Sequence, residues 1–161
     1  MTAESIDGIR VRALSVADLA AMEAMMTLFG EAFDEHDTYC AARPSRAYMA
    51  RLLARPHFIA LAAFDGDAVV GGLAAYELEK FERERSEIYI YDLAVAASHR
   101  RRGIATALIE ALRVLAAARG AWVIFVQADH GDDPAIALYD KLGAREAVLH
   151  FDIAVKTAQR R

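Results

Sequence analysis

The sequence predicts a single α/β domain, and three observations predict it. Short apolar strands alternate with amphipathic helices, an Asp-Gly-Asp turn joins two strands, and a strand–helix–strand crossover lies near the middle. Taken in order, Ile9–Ala13 alternates apolar and charged side chains and reads as a first strand. Ser15 or Asp18 starts a helix with Leu19, Met22, Met26 and Phe29 on one face, and Gly30 is placed to stop it. Residues 31–44 are acidic and irregular. Ser45 caps a second helix that ends near Arg55-Pro56, because the residue before proline avoids helical geometry. Phe58–Phe64 and Ala68–Tyr76 are strands joined by Asp65-Gly66-Asp67, a strong hairpin signal. Lys80–Arg85 is a charged turn that leads into a long strand, Glu87–Val95.

The helix from Ile104 carries Leu108, Leu112 and Leu115 on one stripe and ends at Gly120. Trp122–Val126 is continuously apolar, the pattern of a strand covered on both faces. Asp133-Pro134 opens a fourth helix, with aspartate as cap and proline in the first turn, and Gly143 closes it. Arg145–Ile153 supplies one or two final strands. The order β-α-α-β-β-β-α-β-α-β makes one domain of residues 1–161, with its core at about residues 9–153.

Bulk properties narrow the function. At 161 residues and 56% hydrophobic content the chain can bury a full core. A net charge of −4 and a pI near 5.7 disfavour a nucleic-acid partner and suit a cationic one. Cys40 is the only cysteine, which excludes an internal disulfide and fits a reducing cytoplasm. Met1–Gly8 has acidic residues and no apolar centre, so no secretory signal is expected there. No apolar run approaches the ~18 residues of a membrane span. The five histidines are scattered, and His36 with Cys40 gives too few ligands for zinc, so no metal is expected.

Two segments carry chemistry. Tyr91–Val95 runs through Ser98-His99-Arg100-Arg101-Arg102-Gly103 into a helix beginning Ile104-Ala105-Thr106. A glycine at a helix start beside guanidinium groups is suited to phosphate, since main-chain N–H groups and the helix dipole both favour an anion. A basic turn capping a surface helix is the plainer alternative. No Gly-x-x-x-x-Gly-Lys-Ser/Thr is present, so this is not a P-loop. The second segment, Asp132 to Gly143, holds Ala135-Ile136-Ala137-Leu138-Tyr139-Asp140-Lys141. There Tyr139 is either a core aromatic, in helical spacing with Ile136 and Leu142, or a functional phenol.

Arg100-x-x-Gly103-x-Ala105 together with Ala135-Ile136-x-Leu138-Tyr139 resembles the Gcn5-related N-acetyltransferase (GNAT) superfamily. The resemblance implies a GNAT fold: a mixed central sheet, mostly antiparallel with a parallel splayed pair at the cofactor site, flanked by four helices. Asp132 stands where the pattern usually has asparagine, and Gly143 is followed by Ala144 rather than phenylalanine. Tyr91–Val95, Gly103–Leu108, Val126-Gln127-Ala128-Asp129-His130-Gly131-Asp132-Asp133-Pro134-Ala135 and His150–Ile153 resemble the GNAT-type aminoglycoside 3-N-acetyltransferases of the gentamicin-resistance group. Acetyl-coenzyme A is the implied donor, and a 3-amino group of a 2-deoxystreptamine aminoglycoside the implied acceptor. A homodimer is compatible with the resemblance.

These implications assign roles. Leu93, Ala94 and Val95 would polarise the thioester carbonyl and pair with pantetheine amides beside a bulge. Arg100, Arg101, Arg102, Gly103, Ile104, Ala105 and Thr106 would hold the pyrophosphate. Tyr139 would return a proton to the departing thiolate, whose ordinary pKa is ~8.5 against ~10 for the phenol. Asp92 is the candidate base or water relay, since a carboxylate among apolar strand residues is costly to bury. A carboxylate paired with an arginine, or capping a backbone amide, is its alternative. Asp129, Asp132 and Asp133 crowd the end of a strand, where open α/β sheets keep ligands, and with Glu35 suit a polycation. Asp133 can instead be a helix cap, and the others solvated turn residues. Three other readings stay open: acetylation of a peptide N-terminus or polyamine, a non-catalytic acyl-coenzyme A binding module, and nucleic-acid binding through Arg100–Arg102.

Overall fold

The structure, a computed structural model, describes residues 5–156 and divides into two compact units, Met1–Gln127 and Ala128–Arg161. In the first unit a six-stranded sheet runs in chain order: β1 (Ser5–Ile6), β2 (Ile9–Ala13), β3 (Phe58–Asp65), β4 (Ala68–Glu79), β5 (Ser86–Val95) and β6 (Ala121–Val126). All neighbours are antiparallel except β5 and β6, which are parallel. Three helices belong to this unit: α1 (Leu19–Phe33), α2 (Arg46–Leu53) and α3 (Ile104–Arg119).

Two adjacent glycines on β4 show how the helices cover the two sheet faces. A β-carbon on Gly71 would lie 2.9 Å from Ile104 Cγ2 and 3.3 Å from Leu108 Cδ1, so this position faces α3. A β-carbon on Gly72 would overlap Met25 and approach Phe29, so the next position faces α1. The strand period of two thus appears at single-residue resolution. On the α1 side Met22, Met25, Leu28, Phe29 and Met49 pack on Phe58, Ala60, Ala62, Phe64, Ala74 and Ala94. On the other, α3 buries Ile104, Leu108 and Leu112 completely, each contributing roughly 1.5–3 kcal/mol over an exposed side chain.

Several turns form where the local chemistry predicts them. Asp65 pairs with Ala68 across Gly66-Asp67. Ser45 Oγ accepts from the Tyr48 N–H at 3.1 Å, and Gly120 ends α3 in the left-handed region. Gly30, however, does not stop α1, which continues to Phe33 and is closed by left-handed Asp34. Its β-carbon would sit 2.8 Å from Cys40 Sγ and 3.4 Å from Tyr39 Cβ. Gly30 is small because the following segment folds back onto it. That segment is not irregular throughout, since Asp37–Ala41 is a turn of π-helix. Asp18 precedes α1 without capping it; its carboxylate instead takes the Arg12 guanidinium at 2.8 Å and the Ser15 N–H. β6 is the last strand in the sheet order, and Trp122, Val123 and Phe125 are partly exposed rather than covered on both faces.

The second unit holds α4 (Asp133–Leu142), closed at Gly143. Asp132, not Asp133, is the N-cap: its side chain accepts from the Ala135 N–H at 3.3 Å, while Asp133 and Pro134 occupy the first turn. The cap lies one residue earlier because the cap oxygen must reach the N–H three positions on. Residues 144–156 form no strand, against the expectation for Arg145–Ile153. Alternation marks a face but supplies no ladder partner, and Leu149, Phe151 and Ile153 are exposed here. Among the described residues no helix is long and apolar enough to cross a membrane.

Candidate active site

β5 is the strand on which the chemistry is built. Against β4, Ile90 pairs with Ala75 and Asp92 with Ala74, so Tyr91 is an extra residue with no opposite number. This is a β-bulge, and it changes the phase of the strand. Without it, Asp92 would share a face with buried Ile88 and Ile90, and Tyr89 with Tyr91 and Leu93. With it, Asp92 joins Ala74, and Ala94 joins the α1-side core. Tyr91 meets both Tyr76 (ring centroids 6.0 Å) and Tyr89 (5.7 Å), so three tyrosines gather on the face that Asp92 now shares.

Asp92 is half-buried, and its partner comes from far along the chain. Tyr39, on the π-helical turn, donates its hydroxyl to Asp92 Oδ1 at 2.9 Å. Burial raises the Asp92 pKa above the ordinary carboxylate range, the Tyr39 hydrogen bond opposes that rise, and the charge of Glu35 adds to it. Among the described residues Asp92 is thus hydrogen-bonded to a phenol rather than paired with an arginine or capping a backbone amide. Tyr39 was not legible as a site residue, because its contact spans 53 positions and no local pattern marks it. Glu35, the candidate substrate carboxylate of the first unit, lies close enough to act on both Asp92 and Tyr39.

The other edge of β5 is open where the bulge begins. The parallel pairing with β6 runs from Ser86 to Ile90 and stops there. Leu93, Ala94 and Val95 are paired with β4 on one side and with no strand on the other among the described residues. Their free edge is suited to receiving an extended amide chain as an added strand.

Beyond Val95 the chain makes a short 3₁₀ turn, Ala97–His99, and then turns sharply. Arg101 at φ 62° and Gly103 at φ 76° are both left-handed, and Gly103 is the N-cap of α3. A glycine there has no side chain to cap the helix, and among the described residues no side-chain cap hydrogen bond is made at its start. Arg100 reaches back toward the Val95 carbonyl at 3.5 Å, and exposed Arg102 lies 3.7 Å from Asp7. Uncapped N–H groups, a helix dipole and three arginines fit a pyrophosphate. Ile104 is buried in the core beneath this turn, which fixes the helix start against the sheet.

In the second unit Asp129, Asp132 and Asp133 occupy the approach to α4. Asp132 N–H donates to Asp129 O at 3.2 Å around left-handed Gly131, and all three carboxylates are exposed. Tyr139 lies two helical turns past Asp132. Burial pushes its phenol up to about 12, and the Asp132 charge adds to the rise, so it holds its proton at neutral pH. Among the described residues no group of three or more His, Cys, Asp or Glu is placed to hold a metal ion.

The sequence profile of the acetyltransferase (GNAT) family matches residues 22–144. The crystal structure of an aminoglycoside acetyltransferase, HMB0005, from an uncultured soil metagenomic sample is 63% identical. The match covers 92% of this chain and 99% of that one, with a TM-score of 0.90. A second soil metagenomic aminoglycoside acetyltransferase, meta-AAC0020, in complex with sisomicin, is 31% identical over 93% of this chain and 98% of its own, with a TM-score of 0.87. AAC(6')-Iy with the bisubstrate analog CoA-S-monomethyl-acetylneamine shares the fold at 17% identity, covering 92% and 99% of the two chains, with a TM-score of 0.72. No curated protein matches the sequence.

Proposed function

Because the chain belongs to the acetyltransferase (GNAT) family, we propose that it transfers acetyl from acetyl-coenzyme A to the 3-amino group of a 2-deoxystreptamine aminoglycoside, by direct attack in a ternary complex. The observation that carries the reading is the Tyr91 bulge, which turns a carboxylate onto a tyrosine-lined face at the open edge of β5. The 63% identity to an aminoglycoside acetyltransferase supports the substrate class, as does the sisomicin complex of its 31% identical relative.

Acetyl-coenzyme A supplies the acetyl group as an activated thioester. The residues present fit it: the uncapped start of α3 with Arg100, Arg101, Arg102, Gly103, Ile104, Ala105 and Thr106 for the pyrophosphate, and Leu93, Ala94 and Val95 for the pantetheine amides and the carbonyl. Asp92 Oδ2 accepts the proton that the amine must lose, and its raised pKa suits it to that task. Tyr139 Oη, protonated at neutral pH, donates to the sulfur. Asp129, Asp132, Asp133 and Glu35 attract the ammonium groups of a polycation, through charge-assisted hydrogen bonds. Both units act as one N-acetyltransferase domain in this scheme, working in the cytoplasm where acetyl-coenzyme A and a reduced Cys40 are both expected.

The test is release of free thiol from acetyl-coenzyme A with gentamicin, sisomicin, spermidine and a peptide as acceptors. Thiol release with the two aminoglycosides and not with the others supports the reading. Release with the peptide or spermidine alone moves the chain to another amine, and none with any acceptor makes it a binding module.

A further inference from the structure

We infer that Tyr39 is a positioning residue for Asp92, anchoring one carboxylate oxygen so that the other is presented to the amine. The inference rests on the reading of Asp92 as proton acceptor. Its observations are geometric. Tyr39 Oη donates to Asp92 Oδ1 at 2.9 Å, and Oδ2 has no hydrogen-bond partner among the described residues. A carboxylate on a bulged strand would otherwise rotate about χ2, a broad and soft torsion. One fixed oxygen removes that freedom and leaves the other as the acceptor.

Tyr39 is itself held firmly. Its ring lies 5.9 Å from Phe29 edge-on and 5.7 Å from Phe33, and those two stack at 5.7 Å. Its main-chain N–H donates to Glu35 O at 3.1 Å, and the turn carrying it rests on Gly30, where a β-carbon would meet Cys40 and Tyr39. The missing side chain at Gly30 is therefore what brings the phenol to β5. No sequence pattern required this: the π-helical turn, the glycine and the bulge come from three separate segments and meet at one carboxylate.

The arrangement also sets the charge state. The titratable groups facing Asp92 are Glu35 and Tyr39 from the segment after α1, Tyr76 on β4, and Tyr89 and Tyr91 on β5. No arginine or lysine forms an ion pair with Asp92 among the described residues. Tyr39 is thus the group that favours the charged form, against burial and Glu35. The sign follows: a base works only when unprotonated, so loss of the Tyr39 donor moves the acid limb of the rate profile to higher pH.

The experiment compares Tyr39→Phe, Asp92→Asn and the double variant with wild type, following kcat/KM for sisomicin against pH. Tyr39→Phe keeps every ring contact and removes only the hydroxyl. We expect its acid limb to lie at higher pH, with kcat/KM reduced ~10-fold on the acid side, the lower end for loss of a hydrogen bond to a charged group. Adding Tyr39→Phe to Asp92→Asn should change nothing further, since both act through one carboxylate. An unmoved acid limb in Tyr39→Phe, with Asp92→Asn inactive, overturns the inference and leaves Asp92 as the base. Full activity in Asp92→Asn overturns the reading of Asp92 and the inference with it.

Discussion

Substituting Gly103 by alanine and by aspartate separates strain from charge at the start of α3. Gly103 sits at φ 76°, a region that costs an L-residue roughly 1–2 kcal/mol, and a β-carbon there would meet nothing within 4 Å. Both variants should therefore fold, each with a melting temperature lower by about 2–8 °C for a domain of this size. They differ in what they do to an anion. Alanine leaves the uncapped N–H groups and Arg100–Arg102 in place. Aspartate adds a negative charge to the proposed pyrophosphate site; two unit charges separated by ~5 Å repel by ~1 kcal/mol in water and ~3 kcal/mol at an effective dielectric constant near 20. Acetyl-coenzyme A affinity, measured by titration calorimetry, should then fall ~5- to 150-fold in Gly103→Asp. Gly103→Ala should stay within about threefold of wild type. Equal affinity in all three proteins would refute the phosphate assignment, and an equal loss in both variants would refute the charge argument.

Three further perturbations test separate parts of the account. Tyr139→Phe should lower kcat by ~10²–10⁴-fold with little change in melting temperature, the usual worth of general acid catalysis; a kcat within a few-fold of wild type makes Tyr139 a packing residue. Asp129→Asn and Asp132→Asn should each reduce kcat/KM for gentamicin by ~10- to 150-fold, and wild-type KM should rise with salt. Asparagine caps a helix as well as aspartate, so thermal melting of Asp132→Asn should not change, and a large drop there would confound the substrate reading. Asp18, whose carboxyl is held down to about 2 chiefly by the Arg12 guanidinium, stabilises the fold above its unfolded pKa and loses that effect as pH falls toward 2. Asp18→Asn should therefore cost roughly 1 kcal/mol at pH 7 and almost nothing near pH 2, read from denaturant melts at both pH values.

Much of the fold was legible because it is written in short-range chemistry. Gly66 makes the hairpin and Gly120 ends α3 through left-handed backbone positions, and Ser45 caps α2 through its side-chain oxygen. The stripe of Leu108 and Leu112 likewise follows from the helical period. What was misread needed a distant partner. Gly30 looks like a helix stop by itself, and only Tyr39 and Cys40 folding back explain it as a packing position. The apolar run of β6 suggested two covered faces, yet a strand at the end of the sheet order exposes Trp122. Arg145–Ile153 alternates like a strand, but alternation names a face and cannot supply a hydrogen-bonding partner.

The candidate site divides in the same way. The Gly103 turn was readable as a unit because strand, arginines, glycine and helix are contiguous, and in the structure Gly103 is left-handed and caps α3 without a side-chain hydrogen bond. Asp92 was readable as an anomaly, a carboxylate in an apolar strand. The resemblance implied a bulge nearby, but which residue it makes extra is decided by register with β4. Tyr39 could not be found at all from one sequence, since nothing local distinguishes it from any other half-buried tyrosine.

The position of the transferred acetyl group can be read from the product itself. Sisomicin treated with the protein and acetyl-coenzyme A should give a monoacetylated product. Two-dimensional NMR should place the new amide on the 3-amino nitrogen of the deoxystreptamine ring, with the remaining amines free. An amide on any other nitrogen, or unmodified sisomicin after prolonged incubation with folded protein, rules out 3-N-acetylation.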